Sequence, residues 1–391
     1  MLTSALLAAF SLPLAHALHV PPQASPVHSR LNSRAPAPEP DLDFGKASLQ
    51  VTSPYSSKST GKLIVGPEGA HPVALARTSC YPAIGFQRPD ENDLPHDTSD
   101  WWCPADEEYA FVGFSYEVTA CQSKSQLMKD FKDIRNTFNS RYVRLYGACD
   151  TKGFYDDVID AAWQNTLGVH ALVWFGFDGD DIWKSRRDSL FGTLHSNPLA
   201  PFVTRVVQFG SEPLFDSVLS PKDLATQVTN AKHNLSSLLI NVTVSEMAYG
   251  YQKNTDNAQV VLDAIDSINI HVLPFFDQSA STAKKAWPIV QDYLNFFVEH
   301  GDGKKMYFDE NGWPSESYPG VEPNSPDAVA NVQQEQDYYT LLDSHCADLK
   351  KAPGGGVGWF AHIYNDNQEP GYGIYGTNGK LKFPFSPKTS C

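Results

Sequence analysis

The chain has few basic residues, few cysteines and no long apolar run, and each shortage excludes a class of protein. Lysine and arginine number 30 against 45 aspartates and glutamates, which gives a formal net charge of −15 at pH 7. A surface of that sign repels phosphate, so we expect no nucleic acid partner and no anionic membrane partner, whereas a neutral polysaccharide is compatible. No stretch is apolar over the roughly 20 residues that a membrane-spanning helix needs, so we expect no membrane span.

Cysteine occurs only 6 times in 391 residues. No Cys-x-x-Cys pair or histidine-rich spacing is present, so the sequence gives no indication of a zinc site, and we expect neither a metal nor a cofactor. An even number of cysteines in a secreted chain favours disulfides, although the sequence leaves their pairing open. The cysteines are Cys80, Cys103, Cys121, Cys149, Cys346 and Cys391.

Residues 1–17 have the pattern of a secretory signal peptide. An apolar segment closes on Ala15-His16-Ala17, which is a small-residue cleavage motif. Two acceptor motifs for N-glycans, which begin at Asn234 and Asn241, fit the same route. We therefore expect a secreted glycoprotein, extracellular or in the cell wall.

Two segments precede the regular part of the chain. Residues 18–60 are rich in proline, serine and alanine without hydrophobic periodicity, which predicts a flexible leader. Residues 61–108 predict an irregular N-terminal lobe that a disulfide ties to the main domain. Its neighbouring indoles, Trp101 and Trp102, are either platforms for a sugar or side chains buried against the main domain.

From residue 109 to residue 391 short β-prone runs alternate with helical patterns. The predicted strands are 109–115, 141–146, 169–175, 202–209, 242–245, 268–273, 306–309 and 357–364. Strands that alternate with helices in this number predict an α/β fold, the (β/α)8 TIM barrel. An open doubly wound sheet is the alternative, but no Gly-rich phosphate turn follows the first strand. The tail after the eighth strand lacks a helical period, so we expect the last helix to be missing, displaced or replaced.

Two glutamates lie at the ends of the fourth and seventh predicted strands, and each has a proline within the next four residues. Glu212 is followed directly by proline, and Glu310 lies four residues before Pro314. Barrel enzymes place their chemistry at the carboxyl ends of strands, and retaining glycoside hydrolysis needs two carboxyl groups about 5 Å apart. Glu212 follows an apolar run and is predicted to be the acid/base, and Glu310 the nucleophile. The alternative is that one or both are structural acids in salt bridges.

The strand ends also resemble a known family. Phe209-Gly210-Ser211-Glu212 and Asp309-Glu310-Asn311-Gly312-Trp313-Pro314 are similar to the two signatures of glycoside hydrolase family 17, the β-1,3-glucanases. The segments at 143–146, 269–271 and 274–276 resemble that family's second and sixth strands. The resemblance covers the barrel and implies a retaining enzyme with its catalytic glutamates on the fourth and seventh strands.

The same resemblance implies roles for further residues. Arg144 and Tyr146 would line the floor of the sugar site, and Trp313 would lie near the sugar. Ser211 occupies the position of an asparagine that in the family bonds the sugar 2-hydroxyl, and the eighth strand ends in His362 instead of an acidic, tryptophan-containing segment.

Three other residues are candidates for the site, and for two of them the sequence leaves two interpretations open. Trp359 either stacks under the sugar or points into the helix shell, because an aromatic face binds the apolar face of a pyranose. His271 either orients a carboxylate or is a satisfied core histidine, and Tyr249 is a candidate for the wall of the cleft. The sequence as a whole predicts a secreted, monomeric retaining hydrolase that acts on β-glucan, and it favours β-1,3-glucan as the substrate. A glucanosyltransferase of the same fold and an inactive glucan-binding wall protein are the alternatives.

Overall fold

The computed structural model describes residues 80–176, 181–254 and 258–391. The predicted signal peptide at 1–17, the predicted leader at 18–60 and the first part of the predicted lobe, 61–79, lie outside the described residues. Within them, no helix is long and apolar enough to cross a membrane.

Eight parallel strands close into a barrel in the order of the chain, which confirms the predicted fold class. The strands are β1 Ala110–Glu117, β2 Tyr142–Tyr146, β3 Gly168–Val173, β4 Thr204–Ser211, β5 Asn241–Glu246, β6 Ile268–Val272, β7 Met306–Asn311 and β8 Val357–Ala361. The barrel closes through parallel pairing of β1 with β8. Most predicted strand boundaries differ from the structure by one or two residues. At β4 a helical turn occupies Ala200–Val203, so the strand begins at Thr204, and β8 ends at Ala361 rather than at residue 364.

Helices occupy the connections between the strands. They are α1 Lys124–Phe138, α2 Phe154–Gln164, α3 Ile182–Ser196, α4 Ala200–Val203, α5 Pro221–Leu235, α6 Ala248–Gln252, α7 Gln259–Ala264, α8 Trp287–His300, α9 Val332–Ser344 and α10 Cys346–Lys351. Capping residues explain where α5 begins. Ser220 accepts a hydrogen bond from Asp223 N and is followed by Pro221 at the first helical position of α5, so that proline's missing N–H costs nothing.

The lower part of the barrel interior is filled by aromatic and aliphatic side chains that exclude water. Val112, Tyr142, Tyr307 and Phe360 form one buried cluster inside the strands. Beneath it, the carboxylate of Glu108 accepts hydrogen bonds from the hydroxyls of Tyr142 and Tyr307. The barrel is therefore a packed core, in which the buried Glu108 carboxylate at the amino end has hydrogen-bond partners.

The N-terminal extension, of which residues 80–108 are described, packs under the amino ends of the strands. Cys80 pairs with Cys103, so its disulfide closes a loop within the extension and does not reach the barrel. Non-covalent contacts attach it instead. Trp101 is 8% exposed, and its indole N–H donates to Phe202 O at 2.8 Å. Trp101 is thus buried on the face opposite to the ends of the strands where the glutamates lie.

The tail after β8 takes the place of a final helix. Among the described residues no helix follows β8, and Phe383 and Phe385 are buried against the barrel. Phe385 contacts Phe111 and Phe114 of β1, with ring centroids 5.8 Å apart in both pairs. Separate aromatic side chains of the tail, rather than one face of a helix, cover β1. This explains why the sequence of the tail shows no helical period.

All 6 cysteines are paired, which confirms the disulfides expected from their even number. The pairing that the sequence left open is Cys80–Cys103, Cys121–Cys149 and Cys346–Cys391. The last of these fixes the end of the tail to α10.

Candidate active site

Glu212 and Glu310 meet at the carboxyl end of the barrel. Glu310 lies within β7, and Glu212 is the first residue after β4. Both are buried, at 8% and 2% exposure, and a carboxylate oxygen of each lies within 4.8 Å of the other. Glu212 has a φ of 55°, in the left-handed region, and its N–H donates to Ser245 O at 2.8 Å. This sharp turn at the end of β4 directs the side chain across the barrel toward Glu310.

His271 of β6 lies between the two carboxylates. Its Nδ1 is 3.0 Å from Glu212 Oε1, and its Nε2 is 3.5 Å from Glu310 Oε2. Burial alone would lower the pKa of this imidazole, but the negative charges of Glu310, Glu212 and Asp309 outweigh burial and raise the pKa to about 9. His271 is therefore an imidazolium that donates to Glu212.

Arg144 of β2 forms the floor beneath the glutamates. It is fully buried, and its Nη1 donates to Glu310 Oε2 at 3.2 Å. Its Nε donates to Gln208 Oε1 at 3.0 Å and is 3.3 Å from Asp309 Oδ2. Since each side of the guanidinium has an acceptor, Arg144 is held in one orientation, and it holds Glu310 in turn.

Ser245 gives the site a superficial likeness to a serine hydrolase. Its hydroxyl is 2.7 Å from His271 Nε2, and the other nitrogen of that ring contacts Glu212. However, the hydroxyl donates to Asp309 and accepts from Arg144 Nη2 at 2.9 Å. Ser245 is also completely buried, so its oxygen is committed to the network and does not face a substrate.

The spacing of Glu212, His271 and Glu310 could also hold a divalent cation, since one ligand atom from each lies within 4.8 Å of the others. Two facts favour proton chemistry instead. Arg144 already provides a cation to Glu310, and the raised pKa of His271 favours a second cation beside Glu212. A metal ion would have to displace both positive charges.

Three other predicted residues lie at the same end of the barrel. Ser211 accepts from Arg144 Nη2 at 3.3 Å. The hydroxyl of Tyr146 is buried without a hydrogen-bond partner among the described residues, and its ring lies 5.3 Å from the Arg144 guanidinium. Burial, followed by the charges of the nearby carboxylates, raises the pKa of Tyr146 well above 10, so it remains a hydrogen-bond donor. Tyr249, after β5, is half-buried beside Phe215 with centroids 6.2 Å apart.

Both tryptophans considered for the sugar site are buried: Trp359, for which the sequence left the sugar site and the helix shell open, and Trp313, which the resemblance placed near the sugar. Trp359 is 1% exposed and packs between Phe111 and Tyr339, with centroids 5.0 and 5.8 Å away. It points outward into the helix shell because successive residues of a strand alternate in direction and Phe360 occupies the interior. Trp313 is fully buried, and its indole N–H donates to Val329 O at 3.0 Å.

Sequence reasoning missed several buried polar groups that complete the site. Asp309, Ser245 and Gln208 fix Arg144 and His271, and Glu246 lies at the very end of β5. The rule that barrel chemistry lies at the carboxyl ends of strands could have found Glu246. It could not have found the contact between His362 Nε2 and Glu369 Oε2 at 3.0 Å, because Glu369 lies in the irregular tail.

Several solved structures share the fold of this chain. No curated protein matches the sequence. Among solved structures, an active-site mutant of a Rhizomucor miehei β-1,3-glucanosyltransferase in complex with laminaritriose shares 17% identity over 71% of this chain and 97% of its own, with a TM-score of 0.58. The glycoside hydrolase family 17 β-1,3-glucanosyltransferase of the same organism gives 18% identity, coverage of 69% and 95%, and a TM-score of 0.56.

A Dictyoglomus thermophilum β-D-glucuronidase shares 11% identity over 70% of this chain and 49% of its own, with a TM-score of 0.52. At such identities these structures establish a common fold. The model of the BtgE/BtgC glycoside hydrolase domain family matches residues 111–376, the whole barrel from β1 into the tail. Since that match spans well over half of the sequence and includes both glutamates, the chain belongs to the BtgE/BtgC glycoside hydrolase domain family.

Proposed function

We propose that this protein cleaves β-1,3-glucan by a retaining double displacement in which Glu310 is the nucleophile and Glu212 is the acid/base. The observation that carries the proposal is that a carboxylate oxygen of each glutamate lies within 4.8 Å of the other. Retaining glycosidases hold their carboxyl groups about 5 Å apart, whereas inverting ones need about 6.5 Å or more to admit a water molecule.

The surroundings of the two glutamates separate their roles. Glu310 accepts a hydrogen bond from Arg144 Nη1 at 3.2 Å, which orients its carboxylate for attack on the anomeric carbon. Glu212 carries the proton that goes to the leaving oxygen as the glycosyl–Glu310 bond forms. In the second step Glu212 removes a proton from water or from a sugar hydroxyl, which releases the glycosyl group and regenerates Glu310.

Similarity to known proteins, rather than the geometry of the glutamates, supports β-1,3-glucan as the substrate. The ends of β4 and β7 carry segments similar to the two signatures of glycoside hydrolase family 17. Two structurally similar proteins are β-1,3-glucanosyltransferases, one of them solved with laminaritriose. The hydroxyl of Tyr146, which has no hydrogen-bond partner among the described residues, and the half-buried ring of Tyr249 supply a donor and an aromatic surface for a neutral sugar. The signal-peptide pattern at 1–17 supports action outside the cell, where such glucans occur.

The test is incubation of the purified protein with β-glucans of defined linkage, followed by product sizing and by NMR of the first anomer released. We expect turnover of the β-1,3-linked chain with the β-anomer formed first. Products longer than the substrate identify glucanosyl transfer, and shorter products alone identify hydrolysis. Release of the α-anomer first contradicts the mechanism. Binding of glucan without any turnover contradicts the enzymatic proposal and favours a glucan-binding protein.

A further inference from the structure

A groove of about 590 Å³ lies on the outer face of the barrel, and neither proposed catalytic glutamate lines it. One wall is the exposed side of α1, from Gln126 to Thr137. The other wall is the tail that follows β8, from Tyr364 to Gly379. The volume is in the range of sites that bind small ligands. The proposed reaction does not use this groove, so its role is a separate question.

Hydrogen bonds fix the two walls of the groove to each other. Asp133 Oδ2 on α1 accepts from the hydroxyls of Tyr364 at 3.0 Å and Tyr375 at 2.9 Å, both in the tail. Its Oδ1 accepts from Thr137 Oγ1 at 2.6 Å. Tyr375 N also donates to Tyr364 O at 3.2 Å, and the two rings lie with centroids 5.3 Å apart. The groove is therefore preformed, and a ligand does not have to order its walls.

The charges in the groove favour a neutral ligand. Lys129 and Lys132 line it with ammonium groups. The carboxylates of Asp130 and Asp133 line it as well and balance these two positive charges. An anion would meet the carboxylates and a cation would meet the ammonium groups, and such contacts between like charges are unfavourable.

Amides and an aromatic ring supply the contacts that a sugar needs. The side chains of Asn136, Asn365 and Asn367 each carry a donor and an acceptor, as a sugar hydroxyl does. Tyr375 is half-buried, so part of its ring is exposed in the groove, and an aromatic ring binds the apolar face of a pyranose. A neutral oligosaccharide is the class of ligand that uses the balanced charge, the amides and the ring together.

The tail also connects this groove to the carboxyl end of the barrel. His362 and Glu369 are completely buried, with Nε2 and Oε2 3.0 Å apart, and the His362 ring lies 5.3 Å from the ring of Tyr146. Tyr364 and Tyr375, in the same segment of the tail, line the groove on the outside. One segment therefore lines both places, so the groove lies next to the end of the barrel where the glutamates meet.

We propose that this groove is a second carbohydrate site, which binds a segment of a neutral oligosaccharide outside the catalytic cleft. That the sugar is β-1,3-glucan rests on the proposed function, whereas the existence of the site does not. Such a site raises the affinity for a chain that is long enough to occupy groove and cleft together, because the second contact is then intramolecular. A short oligosaccharide occupies one place at a time and gains nothing.

The first test measures binding without turnover, by affinity electrophoresis of the full-length protein. The gels contain laminarin (β-1,3-linked), hydroxyethyl cellulose (β-1,4-linked) or pullulan (α-linked). Gly376→Leu fills the groove without removing a contact, because a Cβ there has no neighbour nearer than 3.5 Å and the φ of Gly376 lies outside the left-handed region. Tyr375→Ala removes the exposed ring. We expect each variant to bind laminarin about tenfold more weakly than wild type.

Tyr109→Ala is the matched control. Tyr109 is also half-buried, but it precedes β1 at the amino end of the barrel and does not line the groove. We expect wild-type retardation in this variant. Loss of retardation by a neutral polysaccharide other than laminarin supports the groove site and contradicts β-1,3-glucan as its ligand. If no polysaccharide retards the wild type, or if Gly376→Leu and Tyr375→Ala are retarded as strongly as the wild type, the proposal is wrong.

The second test uses turnover and compares a long substrate with a short one. In Gly376→Leu we expect KM for laminarin to rise about tenfold, whereas kcat and KM for laminaritriose stay at their wild-type values. An equal rise in KM for both substrates places the effect in the cleft and overturns the proposal. If the wild-type protein cleaves no glucan, the proposed function fails, and the electrophoresis still decides whether the groove binds a sugar.

Discussion

His271 Nδ1 donates to Glu212 Oε1 across 3.0 Å, which joins the side chain of β6 to the residue that follows β4. The same ring reaches Glu310 on its other side. A protonated imidazole between the two carboxyl groups offsets the negative charge of this end of the barrel. His271 is therefore in contact with both members of the proposed catalytic pair.

Substitution of each glutamate separates the two roles. An aryl glucoside with a good leaving group needs little protonation, so Glu212→Ala should retain its first step and show a burst of released phenol. Glu310→Ala should lose both steps, with turnover reduced by at least about 1000-fold. Stopped-flow absorbance measures both. A burst from Glu310→Ala contradicts its assignment as the nucleophile.

The pH dependence of stability should reveal the His271 charge. An unfolded histidine titrates near pH 6.5, whereas in the folded protein the pKa of His271 is raised to about 9. Its stabilising contribution is therefore complete below about pH 6.5 and is lost as the pH rises to about 9, on the order of 3 kcal/mol in all. Urea unfolding of wild type and His271→Gln measures it. The two free energies of unfolding should converge toward pH 9, and a constant difference across this range contradicts the charge assignment.

Trp359 should matter for stability and not for sugar binding. It is packed between β1 and α9, outside the barrel. We expect Trp359→Phe to lower the free energy of unfolding by about 1–2 kcal/mol, because it leaves a partly filled space, with KM unchanged. Tyr146→Phe is the comparison: it removes a hydroxyl at the carboxyl end of the barrel and should change kinetics with little loss of stability. A several-fold rise in KM for Trp359→Phe contradicts its place in the helix shell.

The Cys346–Cys391 disulfide should stabilise the tail that replaces the last helix. It closes a loop with a sequence separation of 45. Loop-closure entropy predicts that the double substitution Cys346→Ser/Cys391→Ser lowers the free energy of unfolding by about 4 kcal/mol. Proteolysis should then begin in the tail near Phe385. Unchanged stability and unchanged protease resistance show that the aromatic anchors hold the tail without the bridge.

Some parts of the site were accessible from sequence because their signal is local. Glu212 and Glu310 are each marked by a β-prone run and a proline that follows soon after the glutamate. Arg144 was indicated only by the resemblance of residues 143–146 to a strand of glycoside hydrolase family 17. Trp359 shows the limit of such signals. The strand itself was predicted, but the sequence left open whether Trp359 faces the sugar or the helix shell, because β8 is buried on both faces and shows no apolar–polar alternation.

The sequence by itself determined the order of strands and helices, the even set of cysteines and the pair of glutamates, since these depend on periodicity, composition and position at a strand end. Tertiary structure decided what joins those glutamates. His271, Asp309 and Glu246 acquire their charges and partners only when β5, β6 and β7 close against β4, because burial and Coulomb interactions between distant residues fix a carboxyl group's proton and the chain order does not.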